Sequence, residues 1–188
     1  MLSHGNLIWN SINMNFALGV TPDDVSVCAA PLFHTGALHC VAFPTLHVGG
    51  TTIIFKNYDP RETIEAVQQR RVTSLLMLTS MWIMLAELPD LESYDVSSVR
   101  WCLCGGSVLP TNTAEKLGHI FKEGFVAGYG LTEASPGVSM LSPRYFKGRP
   151  DSIGKPIPHV NVRIVDEQGK DVAPGEVGEI TVKGPNVF

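Results

Sequence analysis

The sequence lacks the signatures that would settle its chemistry at once. No G-x-x-x-x-G-K-[ST] run occurs and no G-x-G-x-x-G opens a helix after a strand, so P-loop ATPases and dinucleotide dehydrogenases both lose their main fingerprint. There is no G-x-S-x-G elbow, and Ser3 with His4 has no evident acid partner, which removes the hydrolase reading. Cys28, Cys40, Cys102 and Cys104 follow no metal-ligand spacing, since C-x-C replaces the paired C-x-x-C of a zinc site. They read as reduced core residues of a cytoplasmic protein. A formal net charge of -4 gives no basic patch for a phosphate backbone, which excludes nucleic acid as a partner. The most apolar run, "SLLMLTSMWIMLAEL", is shorter than the ~18 residues that span a bilayer and includes Glu87. Neither a transmembrane segment nor a signal peptide is expected, and no internal repeat or low-complexity tract is found.

What is present suits a folded core: 188 residues, 44% of them hydrophobic and 17% charged. "LSHGNLIWNSINMNFALG" predicts a helix capped by Ser3, with Leu7, Ile8, Ile12 and Phe16 on its buried face. The chain then alternates. "VSVCAA", "TTIIF", "TSLLML", "VRWCLC" and "GFVAG" read as strands, and "DPRETIEAVQQR", "SMWIMLAEL" and "TNTAEKLGHIF" as helices, with a mixed segment over residues 37–48. Asp59 is the N-cap of the first of these helices, Pro60 takes the first helical position, and Glu62 is expected to reach back and complete a capping box.

Strand and helix in alternation imply parallel strands with helical crossovers, an α/β fold. From Gly154 the pattern changes to two alternating strands around an Asp-Glu-Gln-Gly turn, the start of a small antiparallel β subdomain. The boundary falls near residues 148–154, giving an α/β part over residues 1–150 and a partial β part over residues 151–188. Both ends are abrupt, with a helix directly after Met1 and a strand just before the last residues, so a piece of something larger is expected.

In a parallel sheet the carboxyl ends of all strands lie on one side, where ligands bind. "PLFHTG" follows the first strand, Thr79 and Ser80 the third, "GGSVLP" the fourth and "YGLTE" the fifth. Singly, Gly-Gly reads as a tight turn and Thr-Glu as a helix start; together, four loops converge on one crevice. Its glycines let a flat group approach the backbone, Tyr129 can stack on a purine, Thr132 can donate to a phosphate oxygen, and ionised Glu133 can hold a hard cation. Of the histidines, His34 stands out because it follows a strand at the same sheet edge, beside Phe33 and Gly36. His39, His47, His119 and His159 read as structural.

"AGYGLTE", "PLFHTGAL" and "CGGSVLP" resemble the Tyr-Gly-x-Thr-Glu, Pro-x-x-His and Gly-Gly-Ala/Ser-x-Leu motifs of the adenylate-forming superfamily, the AMP-dependent synthetases and ligases. "MLSHGNL" is similar to the tail of that family's phosphate loop, and "GEITVKGPNVF" to a strand in its later β region; order and spacing agree across essentially the whole chain. The resemblance implies a fragment of the large N-terminal domain of an acid-thiol ligase. Such an enzyme activates a carboxylic acid with ATP as acyl-AMP, with Mg²⁺, and passes it to coenzyme A. It implies that Gly105, Gly106, Ser107, Gly128, Tyr129, Gly130 and Thr132 hold ATP or AMP, and that Glu133 holds the metal. Phe33, His34, Thr35, Gly36, Thr79 and Gly105 would line the acid site, with His34, Thr132 and Glu133 catalytic. A medium- or long-chain fatty acid is the expected substrate, and an aryl or succinylbenzoate-type acid the alternative.

Departures from the pattern matter. The family's Gly/Ser/Thr-rich loop with its lysine, its ribose-binding Asp and its C-terminal lysine are not within these residues, so the chain alone is expected to be catalytically incomplete. Amino-acid-activating relatives tend to carry Phe-Asp where this chain has Phe33 and His34. The histidine points to acyl or aryl acids. The rival class is a non-catalytic module that uses the same α/β fold only to bind a nucleotide or a partner.

Overall fold

A computed structural model describes residues 1–122, 124–146 and 151–188. Its elements are α1 (His4–Leu18), β1 (Val25–Cys28), α2 (Thr35–Ala37), α3 (Phe43–His47), β2 (Thr51–Ile54), α4 (Pro60–Arg70), β3 (Ser74–Leu78), α5 (Thr79–Ala86), β4 (Trp101–Gly105) and α6 (Thr111–Ile120). They continue with β5 (Phe125–Gly130), β6 (Gly137–Leu141), α7 (Pro143–Phe146), β7 (Lys155–Pro156), β8 (Asn161–Val165) and β9 (Glu179–Lys183). No described helix is long and apolar enough to cross a membrane.

The seven-stranded sheet has the order β2-β1-β3-β4-β5-β6-β7, and its first five strands are parallel. The chain steps outward from β1 to β2 and then back past β1 to β3, which makes the β1/β3 boundary a topological switch point. Helices cover both faces. Ile64 and Val67 of α4, Trp82 and Leu85 of α5 and Leu117 of α6 pack with Val27, Leu75, Met77 and Cys102 on one side. Met14 and Leu18 of α1, with Val41 and Ala42, pack against Cys28, Leu76, Leu103 and Val126 on the other. A strand buried on both faces needs apolar side chains at consecutive positions, and "LLM" in β3 supplies them. Two strands and a short helix escape the sequence reading: β6 turns back antiparallel to β5, α7 follows it, and β7 pairs with β6.

The expected face of α1 is corrected. Ile8 and Phe16 are 47% and 71% exposed, whereas Asn10, Ser11, Asn13, Met14 and Leu18 are buried. The polar residues go inward because each has a partner there: Ser11 pairs with His47 at 2.8 Å and Asn13 with His159 at 2.9 Å. The capping box also falls differently. Ser3 and Asn6 form a reciprocal box at the start of α1, while at α4 Asp59 accepts from the Glu62 backbone N–H at 2.9 Å and Glu62 does not complete a box.

Residues 35–47 form one helical run with a π-helical turn, Leu38–Ala42, between α2 and α3. Pro44 accounts for it: a proline ring collides with the carbonyl four residues back, here Cys40, and widening the turn relieves the contact. The expected domain boundary falls partly on residues 147–150, which lie outside the described residues. Beyond it, β8 and β9 form the expected antiparallel pair.

At the amino edge of the sheet Asp24, only 1% exposed, is held on all sides. Its carboxylate accepts from Arg100 Nη1 at 2.6 and 2.7 Å, Thr73 Oγ1 at 2.6 Å and the Thr21 N–H at 2.7 Å, while Arg100 Nη2 donates to the Gly19 carbonyl at 2.9 Å. Burial pushes the carboxyl pKa up, but the bonds from Thr73, Arg100 and Thr21 outweigh it and hold the group below the usual value. A depressed folded pKa means that this stability is complete above the unfolded value of about 4 and is lost as pH falls through the folded one. Arg100→Leu should cost on the order of 2–3 kcal/mol at neutral pH in urea unfolding, less than a fully buried pair because Arg100 is 42% exposed. The difference from wild type should shrink in acid; an unchanged difference at low pH would show that Arg100 acts by packing alone.

Candidate active site

A cavity of about 360 Å³ opens at the carboxyl ends of β1, β3, β4 and β5. Each wall traces to one loop or strand end. The segment after β1 supplies Ala30, His34, Thr35, Gly36, Ala37 and Cys40; β3 supplies Leu76 and Leu78; β4 and its loop supply Leu103, Gly105 and Gly106. Gly128, Tyr129 and Gly130 come from β5, and Leu131 and Thr132 from the loop that follows. Nine of the residues singled out from the sequence thus face one space: His34, Thr35, Gly36, Gly105, Gly106, Gly128, Tyr129, Gly130 and Thr132.

Four others are placed differently. Phe33 is not a wall of the cavity, because its side chain is 92% exposed. Thr79 is buried, and its hydroxyl donates to the Ser107 carbonyl at 2.7 Å and contacts Cys104 Sγ at 3.6 Å. Thr79 therefore ties the loop after β4 to the start of α5 instead of facing a substrate, and Ser107 serves through its backbone. Glu133 lies beside Thr132 on the 3-10 turn Thr132–Ala134, exposed and outside the cavity lining. An exposed carboxylate beside a cavity-lining residue suits Mg²⁺, which keeps several waters and needs only one or two protein carboxylates together with substrate phosphates. Among the described residues no cluster of three or more metal-ligating side chains exists, so an all-protein metal cage is not what this site offers.

Sequence reasoning missed the wall formed by Met14, Pro136, Gly137, Ser139 and Met140. Met14 was hidden by the wrong face of α1. The others belong to β6 and the turn before it, where "ASPG" signals a loop and conceals the return strand.

Close backbone approach explains the glycines at two positions. A Cβ at Gly130 would collide with the Pro136 carbonyl, and one at Gly137 would lie 2.8 Å from Ile157 Cδ1 and 3.1 Å from Met14 Sδ. The turn between them is pinned from outside. Ser135, at φ 65°, donates its hydroxyl to the Asn186 carbonyl at 2.8 Å. Asn186 Nδ2 donates to the carbonyls of Ala134 at 2.6 Å and Gly137 at 2.9 Å, and the Phe188 N–H donates to the Glu133 carbonyl at 3.1 Å.

Burial pushes the Cys40 thiol up to about 12 and Cys28 to about 11, so both stay protonated and neither is a nucleophile near neutral pH. All four cysteines are unpaired. The site offers flat backbone walls, one aromatic ring, a hydroxyl and a carboxylate at the mouth, and an imidazole on the opposite lip. That set can seat a planar group and an anionic centre; it has no attacking group of its own.

A family model described as "AMP-binding enzyme" matches residues 1–188. A feruloyl-CoA synthase from Amycolatopsis sp is 42% identical over 190 residues, covering 100% of this chain and 38% of that protein. A long-chain-fatty-acid–CoA ligase from Bacillus subtilis is 36% identical over 159 residues, covering 84% of this chain and 28% of that protein. Among solved structures, o-succinylbenzoate CoA synthetase (MenE) from Bacillus subtilis, in complex with the acyl-adenylate intermediate OSB-AMP, superposes with a TM-score of 0.89 at 27% identity. That superposition covers 100% of this chain and 37% of MenE, so the chain spans less than two fifths of each of these three proteins. With a seven-stranded α/β sheet, the expected motifs gathered around one cavity, and a family match over its full length, the chain belongs to the AMP-binding enzyme family of adenylate-forming ligases.

Proposed function

We propose that this chain is the acid-binding and adenine-binding part of a ligase that activates a carboxylic acid as acyl-AMP and transfers it to coenzyme A. The observation that carries the reading is the convergence of His34 on one lip and Tyr129 with Thr132 on the other around a single cavity. In the first step the substrate carboxylate attacks the α-phosphorus of ATP, a P–O bond breaks, and pyrophosphate leaves. In the second, a thiolate attacks the acyl carbon and AMP leaves with the bonding pair. The chain's own thiols are protonated at neutral pH, which fits a thiol supplied from outside.

Tyr129 would stack on adenine, with the backbone of Gly105, Gly106, Gly128 and Gly130 approaching its plane. Thr132 would donate to an α-phosphate oxygen, and His34 would orient the carboxylate. Mg²⁺ held by Glu133 would offset the charge gathering on the phosphates. Unpaired cysteines fit a reducing compartment, and the cytoplasm is the proposed location.

For the acid, the geometry favours a compact, flat, largely apolar body over the long fatty acid expected from the sequence. The cavity volume lies near the lower end of the about 300–1,000 Å³ typical of ligand sites, and the adenine reading claims part of it. Met14, Leu76 and Leu103 line the cavity with buried apolar side chains, which suit an apolar body. The similarity to a feruloyl-CoA synthase supports an aryl acid; the similarity to a fatty-acid ligase keeps the other class as an outcome of the test.

In the full-length protein, pyrophosphate should exchange into ATP only when an acid is present, with kcat/KM for ferulic acid about tenfold or more above that for palmitic acid. The reverse order would restore the fatty-acid reading. Acid-independent ATP hydrolysis would overturn the ligase reading, and adenosine nucleotide binding with no exchange at all would establish the non-catalytic module instead. Glu133→Gln keeps the side-chain shape and removes the charge that holds a hard cation. It should slow exchange on the order of a hundredfold, with partial recovery at high Mg²⁺. Activity near wild type at every Mg²⁺ concentration would leave Glu133 as a helix-start carboxylate only.

A further inference from the structure

We propose that Asn10 is a positioning residue that fixes the acid side of the cavity against its nucleotide side, a role that rests on the adenylation reading above. Asn10 lies in α1, is fully buried and is not part of the cavity lining. Its carboxamide nevertheless grips both walls: Nδ2 donates to the His39 carbonyl at 2.7 Å, and Oδ1 accepts from the Gly137 N–H at 3.0 Å.

Both partners are backbone groups that lack another source. In the π-helical turn the Phe43 N–H is spent on the Leu38 carbonyl, and the next residue, Pro44, has no N–H to give. The His39 carbonyl therefore takes its donor from Asn10. Cys40, the next residue, lines the cavity, and His34 is the N-cap residue of the same helical run. Gly137 lines the opposite wall and ends the turn that carries Thr132 and Glu133; its carbonyl is already held by Asn186. A Cβ at Gly137 would lie 3.0 Å from Asn10 Oδ1, so the carboxamide fills its slot without slack.

The carboxamide is asymmetric, and the asymmetry separates the two walls. Only a group with one donor and one acceptor satisfies both carbonyl and N–H. Asn10→Asp keeps the acceptor for Gly137 but loses the donor to His39 and sets an anion against that carbonyl. Asn10→Leu abandons both backbone groups unpaired in the interior.

The test uses acid-dependent pyrophosphate exchange by the full-length protein, with KM for ferulic acid and KM for ATP measured separately. Asn10→Asp should raise the KM for the acid about tenfold, the effect of one buried hydrogen bond, and leave that for ATP within about twofold. Adding Pro44→Ala to Asn10→Asp returns a backbone N–H to this turn and should recover most of the acid KM, which a merely structural role for Asn10 would not produce. Asn10→Leu should lower kcat as well. If Asn10→Asp does not fold, Asn10→Ser, small and neutral, replaces it with the same expectation. A lowered Tm with both KM values unchanged, an equal rise in both, or no recovery with Pro44→Ala would overturn the role. A wild-type protein that exchanges with no acid would sink the adenylation reading and this role together, whereas an active wild type with no split between the two KM values sinks this role alone.

Discussion

Parallel strand direction is the constraint from which the rest follows. Because β1 to β5 all run the same way, every loop that leaves a carboxyl end must emerge on one edge, and the reversal of order at β1 opens a crevice there. Helices cannot close that edge without filling the crevice. Its loops therefore carry backbone groups that the sheet ladder does not pair, and buried backbone groups must be paired somewhere. Side chains from elsewhere in the chain meet the need: Asn10 on His39 and Gly137, Thr79 on Ser107, and Asn186 on Ala134 and Gly137. The opposite edge meets the same demand around an ion pair: Arg100, just before β4, pairs with Asp24, just before β1, while Arg100 also caps the Gly19 carbonyl and Asp24 the Thr21 N–H.

This division explains what could be read from the sequence. The parallel strands were legible because burial on both faces requires consecutive apolar residues, as in "LLML", and α4 was legible from Asp59 and Pro60. The glycines at 105, 106, 128 and 130, with Tyr129 and Thr132, were legible because each lies at or just beyond the carboxyl end of a strand, and strand ends were enough to place them on one edge. What failed depended on tertiary partners. Hydrophobic periodicity put Ile8 and Phe16 inside, but α1 spends its inner face on Asn10, Ser11 and Asn13, whose partners lie 29 to 146 residues away. The reading that puts Phe33 and Thr79 on the acid wall rests on the family resemblance and on their place in the loops. Within a loop, sequence does not say which side chain turns inward, and here Phe33 turns to solvent while Thr79 turns to Ser107.

The turn from Thr132 to Gly137 shows most plainly why a site of this kind cannot be specified by its own motif. Ser135 adopts a left-handed φ of 65°, a conformation that costs a non-glycine residue energy and that its own residue type does not favour. Its hydroxyl, the carbonyls of Glu133, Ala134 and Gly137, and the N–H of Gly137 are instead taken up by groups outside the turn. Four of those five bonds go to Asn186 or Phe188, at the far end of the chain, beyond the small β8–β9 sheet. The same tail is held in place by the first turn of α1, where Asn6 Nδ2 donates to the carbonyls of Pro185 at 3.0 Å and Val187 at 2.9 Å. One helix thus supports the site twice: directly through Asn10, and through Asn6 by way of the tail. The β8–β9 pair, much of whose surface is exposed, contributes less by its own core than by delivering Asn186 to the turn. The geometry of Thr132 and Glu133 is consequently a property of three segments distant in sequence, and the motif that names the site records only one of them.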